Sequence, residues 1–230
     1  MDDRIAAGMA RMLGTRDTLL YDGAQRLGWK AGFGTAAGMQ ALGIDAPLVG
    51  FMTSATLVAD GATIDLDGWG NPLLESEIAV RMGADVGGDA TRAQAAAAVD
   101  ALAPAIELTD LDVEIAKRGV EEVLAHGIFH RAVVLGEWDA SRAGLRLDGI
   151  ALDVAGSAAD ASDADPQAVI GDIAEVVRNT AEVLADAGDG LRAGDVVITG
   201  AIVTPAPLSA GQHVRVSFSG LGSLELQFVA

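Results

Sequence analysis

The chain of 230 residues contains no cysteine. This absence excludes a disulfide framework, a thiolate metal site and a cysteine nucleophile. Aromatic residues make up 4% of the sequence although 50% of the residues are hydrophobic. We therefore expect a core built mainly from Ala, Val, Leu and Ile.

Positive charge is also scarce, because 15 Lys and Arg stand against 33 Asp and Glu and the net charge is −18. Nucleic acids and anionic lipids attract clustered basic residues, so we expect neither a nucleic-acid partner nor a membrane partner. No run of about 18 apolar residues is present, so we expect no transmembrane helix. The acidic start of the chain does not resemble a signal peptide, and we expect a cytoplasmic protein.

The hydrophobic pattern predicts an α+β fold, because strands outnumber helices and do not alternate regularly with them. No break in composition divides the chain, and we expect one domain over residues 1–230. The pattern predicts loops and short strands at 44–71 and a loop at 156–165. It predicts helices at 3–14, 36–42, 91–101, 119–126 and 167–187, and strands at 27–33, 73–82, 104–109, 130–135, 145–154, 196–199, 212–217 and 223–228.

Two glutamates one residue apart, Glu75 and Glu77, lie in the predicted strand at 73–82. Side chains at positions i and i+2 of a strand point to the same face, so these carboxylates would project together. A third glutamate, Glu107, lies in the apolar run at 103–108. Carboxylates in apolar runs are costly to bury unless they are neutralised, and hard divalent cations prefer oxygen ligands. The pattern favours a Mg²⁺ or Mn²⁺ site over the alternative of a strand with an exposed acidic face.

Lys30 stands among glycines in the segment 28–34. It is either a strand-edge lysine that reaches water or a buried amine that balances anionic charge and moves protons. His126 and His130 have the spacing of a helical metal pair, but Gly127 disfavours a helix there, so we expect no histidine metal site. One of the two histidines could still act as a proton carrier.

Six short segments, taken in chain order, carry a family resemblance: Gly28-Trp-Lys-Ala-Gly-Phe-Gly-Thr35, Met39-Gln-Ala-Leu-Gly43, Pro47-Leu-Val-Gly50, Glu75-Ser-Glu-Ile-Ala79, Pro104-Ala-Ile-Glu107 and Ala193-Gly-Asp-Val-Val-Ile-Thr-Gly200. In this combination, the chain resembles the 2-keto-4-pentenoate hydratase / 2-oxo-hex-3-enedioate decarboxylase branch of the fumarylacetoacetate hydrolase superfamily. The resemblance covers the chain from about residue 25 to its end. Compared with that pattern, residues 1–26 form an N-terminal helical segment that is shorter than usual.

The resemblance implies a mixed β-roll with flanking helices around a divalent metal, Mg²⁺ or Mn²⁺. It implies that Glu75, Glu77 and Glu107 bind the metal and that Lys30 is the family's lysine. It also implies a homo-oligomer. Four residues would contact the substrate: Gly34, Thr35, Thr199 and Gly200.

The function implied by the resemblance is that of a lyase similar to 2-keto-4-pentenoate hydratase. The metal would chelate the carboxylate and 2-oxo oxygens of an unsaturated 2-oxo acid and stabilise an enolate. The chain differs from the hydratase pattern at 51–55 and 126–130, where His130 or His126 would take the proton role. A decarboxylase, a C–C hydrolase or a tautomerase on the same scaffold is therefore an alternative. A non-catalytic protein that binds a 2-oxo acid is a second alternative.

Overall fold

The computed structural model describes residues 1–144, 147, 149–157 and 161–230. Helices account for the first twenty residues, for short segments between the strands and for one long segment late in the chain. The bounds of the helices are α1 Asp3–Tyr21, α2 Ala36–Leu42, α3 Arg92–Ala97, α4 Val113–Ala116, α5 Val120–Ala125, α6 Pro166–Ile170 and α7 Ile173–Asp186.

Most of the remaining described residues belong to strands of very different lengths. Their bounds are β1 Arg26–Gly32, β2 Leu48–Thr53, β3 Leu57–Val58, β4 Thr63–Asp65, β5 Pro72–Met82, β6 Val99–Asp110, β7 His130–Leu135, β8 Leu152–Ala155, β9 Ala161–Ala164, β10 Val196–Ile198, β11 Ala206–Pro207, β12 His213–Phe218 and β13 Gly222–Val229.

These strands form two mixed sheets. The eight-stranded sheet has the order β2-β1-β10-β5-β6-β7-β3, and β11 pairs with β5 outside this path. The five-stranded sheet has the order β4-β13-β12-β8-β9. The pairs β1–β10, β3–β7 and β4–β13 are parallel, whereas the other pairs are antiparallel. The predicted α+β class is therefore confirmed.

The long antiparallel pair β5–β6 forms the centre of the larger sheet. Its register places Glu75 opposite Glu107 and Glu77 opposite Ala105. Directly opposed residues on adjacent strands have Cβ atoms about 5 Å apart. The register therefore brings together carboxylates that are 32 positions apart in the sequence, while the i, i+2 spacing adds Glu77 on the same face.

Helix α2 illustrates how local sequence sets the element boundaries. Thr35 caps its N-terminus, because its hydroxyl oxygen accepts a hydrogen bond of 3.1 Å from the backbone N–H of Gly38. Gly43 ends the helix with a φ of 62°, a left-handed conformation that glycine adopts without strain. The predicted bounds of this helix are confirmed.

Three predicted helices have different ends. The helix predicted over 3–14 is too short, because α1 continues to Tyr21. Helix α3 stops at Ala97, and Val99 already starts β6, so the predicted helix over 91–101 is too long. Its final residues pair instead with β5, for example Ala101 with Arg81. The predicted helix over 167–187 is divided into α6 and α7 at Gly171, whose φ is 69°.

The region before α6 also differs from the prediction. Strand β9 at Ala161–Ala164 occupies part of the segment 156–165 that was predicted as a loop, because it pairs with β8. The strand predicted over 145–154 begins only at Leu152. Residues 145, 146, 148 and 158–160 of these two predictions lie outside the described residues.

The two sheets share a continuous hydrophobic cluster. It contains Ile78 and Leu102 from the larger sheet, Leu226 and Phe228 from the smaller sheet, and Val177 from α7. Aliphatic residues dominate this core, as the low aromatic content predicts. Within the described residues, none of the helices combines the length and the apolar character that crossing a bilayer requires.

Candidate active site

Three glutamates converge beneath one face of the larger sheet. Glu77 and Glu107 are fully buried at 0% exposure, and Glu75 is partly buried. One carboxylate oxygen from each residue lies within 4.8 Å of the other two. Strands β5 and β6 therefore build a compact acidic cluster, by which we mean Glu75, Glu77 and Glu107 together.

Protein groups fix one oxygen of each carboxylate in this cluster. The backbone N–H of Gly200 donates a hydrogen bond of 2.8 Å to Oε2 of Glu77, and the hydroxyl of Thr109 donates one of 3.1 Å to Oε1 of Glu75. Gly200 has a φ of 93°, a conformation that favours glycine over other residues. In the described part of the chain, Oε1 of Glu77 and Oε2 of Glu107 are buried without any hydrogen-bond partner.

Lys30 extends from β1 into the acidic cluster and is 2% exposed. Its Nζ donates one hydrogen bond to Oε1 of Glu107 and another, 3.1 Å long, to the backbone oxygen of Ile128. Gly50 on the neighbouring strand β2 leaves room for this side chain, because a Cβ there would lie 2.9 Å from Cγ of Lys30. Of the two interpretations of Lys30 from the sequence, the structure therefore favours the buried amine over the lysine that reaches water.

His130 lies behind Glu107 at the start of β7. Its Nδ1 lies 2.7 Å from Oε1 of Glu107, and its Nε2 lies 2.9 Å from the hydroxyl of Thr56. It is not among the residues that line the cavity described below. His126 is exposed, and its Nδ1 lies 2.8 Å from the backbone oxygen of Glu122, so it does not join the cluster.

The electrostatics of the acidic cluster are unbalanced. Burial and the charge of Glu107 raise the pKa of Glu75 to about 7, against the attraction of Lys30. Burial and the two neighbouring carboxylates raise the pKa of Glu77 well above its ordinary value. Burial also opposes ionisation of Glu107, but Lys30 and His130 outweigh it and hold the pKa of Glu107 below its ordinary value. Glu107 is therefore the carboxylate that Lys30 already neutralises.

The backbone next to Lys30 is in an unusual conformation. Gly127, Ile128 and Phe129 have positive φ angles of 61°, 53° and 62°. Such conformations cost about 1 kcal/mol or more for non-glycine residues, and surrounding structure must stabilise them. Here they direct the Ile128 oxygen at the amine of Lys30.

A divalent cation fits the donor set of the acidic cluster. The three ionised glutamates and Lys30 together carry two excess negative charges, which one divalent ion would neutralise. Within the described residues, Oε1 of Glu77 and Oε2 of Glu107 have lost their hydration without gaining a partner, and such oxygen donors suit Mg²⁺ and Mn²⁺.

A cavity of about 540 Å³ opens beside the acidic cluster. Glu75 and Lys30 line it, whereas Glu77 and Glu107 lie behind its wall. The four residues predicted to contact the substrate all line it as well: Gly34, Thr35, Thr199 and Gly200. Every predicted site residue except His130 therefore lies in the wall of this cavity or directly behind it. His130 lies one layer further away, behind Glu107.

Sequence reasoning missed several residues of the site. Thr109 and Thr56 hold Glu75 and His130, but a threonine in a strand gives no sign of such a role. Helices α6 and α7 form one side of the cavity with Val169, Ile170 and Val176. The apolar face of α7 was the available signal, but it also predicts ordinary core packing.

Together, the buried carboxylates, the paired lysine and the cavity define the class of an enzyme that holds a divalent cation. The family model described as fumarylacetoacetate hydrolase C-terminal matches residues 32–229. The chain belongs to this family. This confirms the resemblance that the sequence segments indicated.

Similar proteins include enzymes of both expected activities. A 4-oxalocrotonate decarboxylase of Pseudomonas sp. is 32% identical over 88% of this chain and 78% of the relative. A 2-keto-4-pentenoate hydratase of Dechloromonas aromatica (strain RCB) is 26% identical over 98% of this chain and 86% of the relative. These relatives confirm the expected class, an enzyme of the hydratase or decarboxylase type.

A solved structure confirms the fold. It is a 4-oxalocrotonate decarboxylase from Pseudomonas putida G7 complexed with magnesium and adipate, and it superimposes with a TM-score of 0.85 at 24% identity. The match covers 95% of this chain and 83% of the other. The predicted β-roll with flanking helices is therefore confirmed. The expected cofactor, Mg²⁺ or Mn²⁺, agrees with the acidic cluster, whose three carboxylates could hold a metal ion.

Proposed function

We propose that the protein is a hydratase-like lyase that uses a divalent cation to act on an unsaturated 2-oxo acid. The observation that carries this proposal is the acidic cluster with its two unpartnered oxygens beside a cavity that also exposes Lys30. Glu75, Glu77 and Glu107 would hold Mg²⁺ or Mn²⁺. The bound ion would supply a Lewis acid for the carboxylate and 2-oxo oxygens of the substrate.

The surrounding backbone and hydroxyl groups orient the substrate end of the cavity. Gly200 uses its N–H to fix Glu77, while Thr199 on the same turn faces the cavity. Gly34 and Thr35 line the cavity where β1 leads into α2, which suits contacts with the substrate carboxylate. These four positions bind and orient the acid but do not exchange protons with it.

Lys30 is the catalytic residue in this proposal. Its Nζ is the cationic group of the cavity wall and is held at two points, Glu107 and the Ile128 oxygen. A buried amine in this position can deliver a proton to the carbon chain of the substrate or take one from it.

His130 acts as a positioning residue in this proposal. The sequence alone predicted it as catalytic, but its imidazole is separated from the cavity by Glu107. Its two ring nitrogens join Glu107 to Thr56. Outer partners of this kind orient a ligand carboxylate and tune its basicity.

Decarboxylation of a 2-oxohexenedioate is a second candidate function. The relative at 32% identity, a 4-oxalocrotonate decarboxylase, favours it. The same Lewis acid would accept the electron pair of the carbon–carbon bond that breaks, so the cation and Lys30 serve either reaction.

Product analysis distinguishes the two reactions. Protein loaded with Mg²⁺ is mixed with 2-hydroxypenta-2,4-dienoate or with 2-oxohex-3-enedioate, and the products are identified by mass spectrometry. Addition of water to the dienoate supports the hydratase, whereas CO₂ release from the hexenedioate without hydration of the dienoate supports the decarboxylase. Absence of turnover with either acid, despite stoichiometric metal binding, would refute a catalytic role.

The lysines of the chain offer a matched control for this assay. Lys30→Met should lower kcat by about 100-fold or more, because it removes the proton-carrying amine. Lys117→Met removes the other lysine, which is 64% exposed, and should leave the rate unchanged. Equal activity of the two variants would contradict the role of Lys30.

The organisation of the working protein is also part of this proposal. Residues 1–230 act as one catalytic domain, which the hydrophobic cluster common to both sheets supports. The protein acts in the cytoplasm, as its acidic N-terminal sequence predicts, and it forms a homo-oligomer, as the family resemblance implies. Light scattering of the purified protein would test the oligomer, since a monomer at micromolar concentration would contradict it.

A further inference from the structure

We infer that the cavity selects 2-oxo acids whose far end is an uncharged apolar chain and discriminates against a second carboxylate. This inference rests on the proposed function, because it assumes that the acidic cluster and Lys30 hold the 2-oxo acid end. It concerns the opposite side of the cavity, which α6, α7 and the segment 201–205 form.

The charged groups of the cavity all lie at one end. Among the described residues that line it, Lys30 is the one cationic side chain and Glu75 the one anionic side chain. Lys30 is already paired with Glu107, and it would lie at the 2-oxo acid end. No cation in the described lining therefore remains for a second carboxylate at the far end.

The far end is mainly aliphatic. Its surface comes from Val169 and Ile170 of α6, Val176 of α7, and Ile202 and Val203 of the segment after β10. A carboxylate buried against such a surface loses its hydration without a compensating partner, whereas an alkyl or alkenyl chain gains from the same burial.

The polar residues of the far end do not replace the missing cation. The hydroxyl of Thr180 donates a hydrogen bond of 2.8 Å to the backbone oxygen of Val176 within α7. Oδ1 of Asn179 accepts a hydrogen bond from the neighbouring Arg178. The Nδ2 of Asn179 and the hydroxyl of the exposed Thr204 are neutral donors, so none of these three residues supplies a positive charge to a carboxylate.

The arginine that precedes Asn179 on α7 is already paired with carboxylates. Arg178 precedes Asn179 on α7 but does not line the cavity. Its guanidinium lies 2.7 Å from Glu175 and 2.9 Å from Glu182, so two carboxylates surround one positive charge. The local excess of negative charge opposes the approach of a dicarboxylate, as does the net charge of −18.

The size of the cavity indicates a substrate chain longer than that of 2-oxopent-4-enoate. A volume of about 540 Å³ corresponds to roughly 18 water-sized groups. This is more than twice the number of non-hydrogen atoms in 2-oxopent-4-enoate. A longer alkyl or alkenyl tail would fill the aliphatic end.

Binding of two unreactive acids of equal carbon number tests the inference separately from catalysis. Calorimetry with Mg²⁺-saturated protein would compare 2-oxohexanoate with 2-oxoadipate, with pyruvate as the probe of the 2-oxo acid end. We expect 2-oxohexanoate to bind on the order of tenfold to a hundredfold more tightly, because 2-oxoadipate buries an unpaired charge. Equal or tighter binding of 2-oxoadipate would overturn the inference while leaving the proposed function intact.

The other outcomes of this titration are also decisive. If pyruvate binds but neither longer acid does, the aliphatic end does not receive the chain and the inference fails. If none of the three acids binds to the metal-saturated protein, the proposed function fails and the inference fails with it.

A positive charge introduced at the exposed rim of the cavity provides a second test. Val169 lines the cavity and is 52% exposed, so Val169→Arg should fold normally. It should raise the affinity for 2-oxoadipate by about tenfold and leave the affinity for pyruvate unchanged. Val169→Gln, which adds length without charge, is the control. An unchanged affinity ratio in Val169→Arg would contradict the placement of the far end beside α6.

Discussion

Neighbouring residues of β1 enter two buried charged regions that differ in their balance of charge. Lys30 points into the acidic cluster, and Trp29 points to the opposite face of the strand. There Trp29 meets a second group of charges, Arg16, Arg26, Asp189 and Asp195, which we call the arginine–aspartate network.

In the arginine–aspartate network, every charge has a partner. Arg26 donates to both oxygens of Asp195 at 2.6 Å, and Asp189 contacts both Arg26 and Arg16. The indole N–H of Trp29 donates to Asp195 at 3.2 Å, and Arg26 lies 5.0 Å from the ring centroid. Two arginines balance two aspartates, and the more exposed Arg192 and Asp17 add one charge of each sign beside Asp189 and Arg16. The network therefore joins α1, β1 and the turn before β10 with its charges balanced.

The acidic cluster lacks this balance. Three carboxylates face one lysine, and two buried oxygens have no partner among the described residues. A protein rarely leaves such atoms unsatisfied, because each costs about 1–3 kcal/mol. The comparison shows that burial of charge alone does not indicate a binding site. Excess charge and buried polar atoms without partners do indicate one.

Removal of Asp195 should produce the largest loss of stability. Asp195→Ala leaves Arg26 with a buried charge that Asp189 only partly compensates, and we expect a loss of about 3–5 kcal/mol in the free energy of unfolding. Urea denaturation would measure it. The double variant Asp195→Ala with Arg26→Met should recover part of the loss, and a double variant as unstable as the single one would contradict this account.

Removal of the Glu77 carboxylate should lower the affinity for metal but not the stability of the metal-free protein. Glu77→Gln should weaken Mn²⁺ binding by at least about 100-fold, yet it should leave the metal-free protein as stable as before, because it removes a buried charge. Calorimetric titration and thermal unfolding in EDTA would measure the two effects. Glu137→Gln, which changes an exposed carboxylate, is the control. A marked fall in the stability of the metal-free variant would contradict this account, because Glu77 would then stabilise the fold as Asp195 does.

The pH dependence of stability should also differ with metal content. The pKa of Glu75 is raised from 4.5 to about 7, so the folded metal-free protein binds a proton more tightly than the unfolded chain. The contribution of Glu75 to the free energy of unfolding is full below pH 4.5 and is lost as the pH rises towards about 7. We expect a loss of at most about 3 kcal/mol over this window in EDTA.

The other groups around Glu75 support this assignment. Glu77, whose pKa is also raised, adds a loss in the same direction, whereas the lowered pKa of Glu107 acts below this window. Denaturation from pH 4.5 to pH 8 would measure the slope, which Mg²⁺ should flatten. The metal-free Glu75→Gln variant should also show a smaller slope, and an unchanged slope would contradict the assignment.

The smallest effect concerns a hydroxyl that holds a ligand. Thr109→Val removes the hydrogen bond to Glu75 and should weaken metal binding by about tenfold. Thr53→Val is the matched control, because the hydroxyl of Thr53 is buried without a partner in the described part of the chain. It should leave metal affinity unchanged and stability unchanged or slightly higher. Equal metal affinities for the two variants would show that Thr109 does not orient Glu75.

Some features of the fold could be predicted because residues close together in the sequence determine them. Thr35 and Gly43 fix the ends of α2, and the spacing of Glu75 and Glu77 places both carboxylates on one strand face. By contrast, the alanine run after Thr91 has a high helix propensity but ends at Ala97, because β6 continues into pairing with β5. Propensity is a weak guide where sheet pairing competes with it.

The residue types of the site were evident from the sequence, but their partners were not. Composition excluded thiol chemistry, and the three glutamates with Lys30 indicated a divalent metal. Only the tertiary structure determined that Glu107 stands opposite Glu75, that Lys30 is paired with Glu107, and that His130 lies behind the ligands. Strand register and the helix packing of α7 depend on contacts between residues far apart in the chain. Local sequence patterns therefore fix which groups are available, and the packing of distant segments decides which of them meet and which stay unsatisfied.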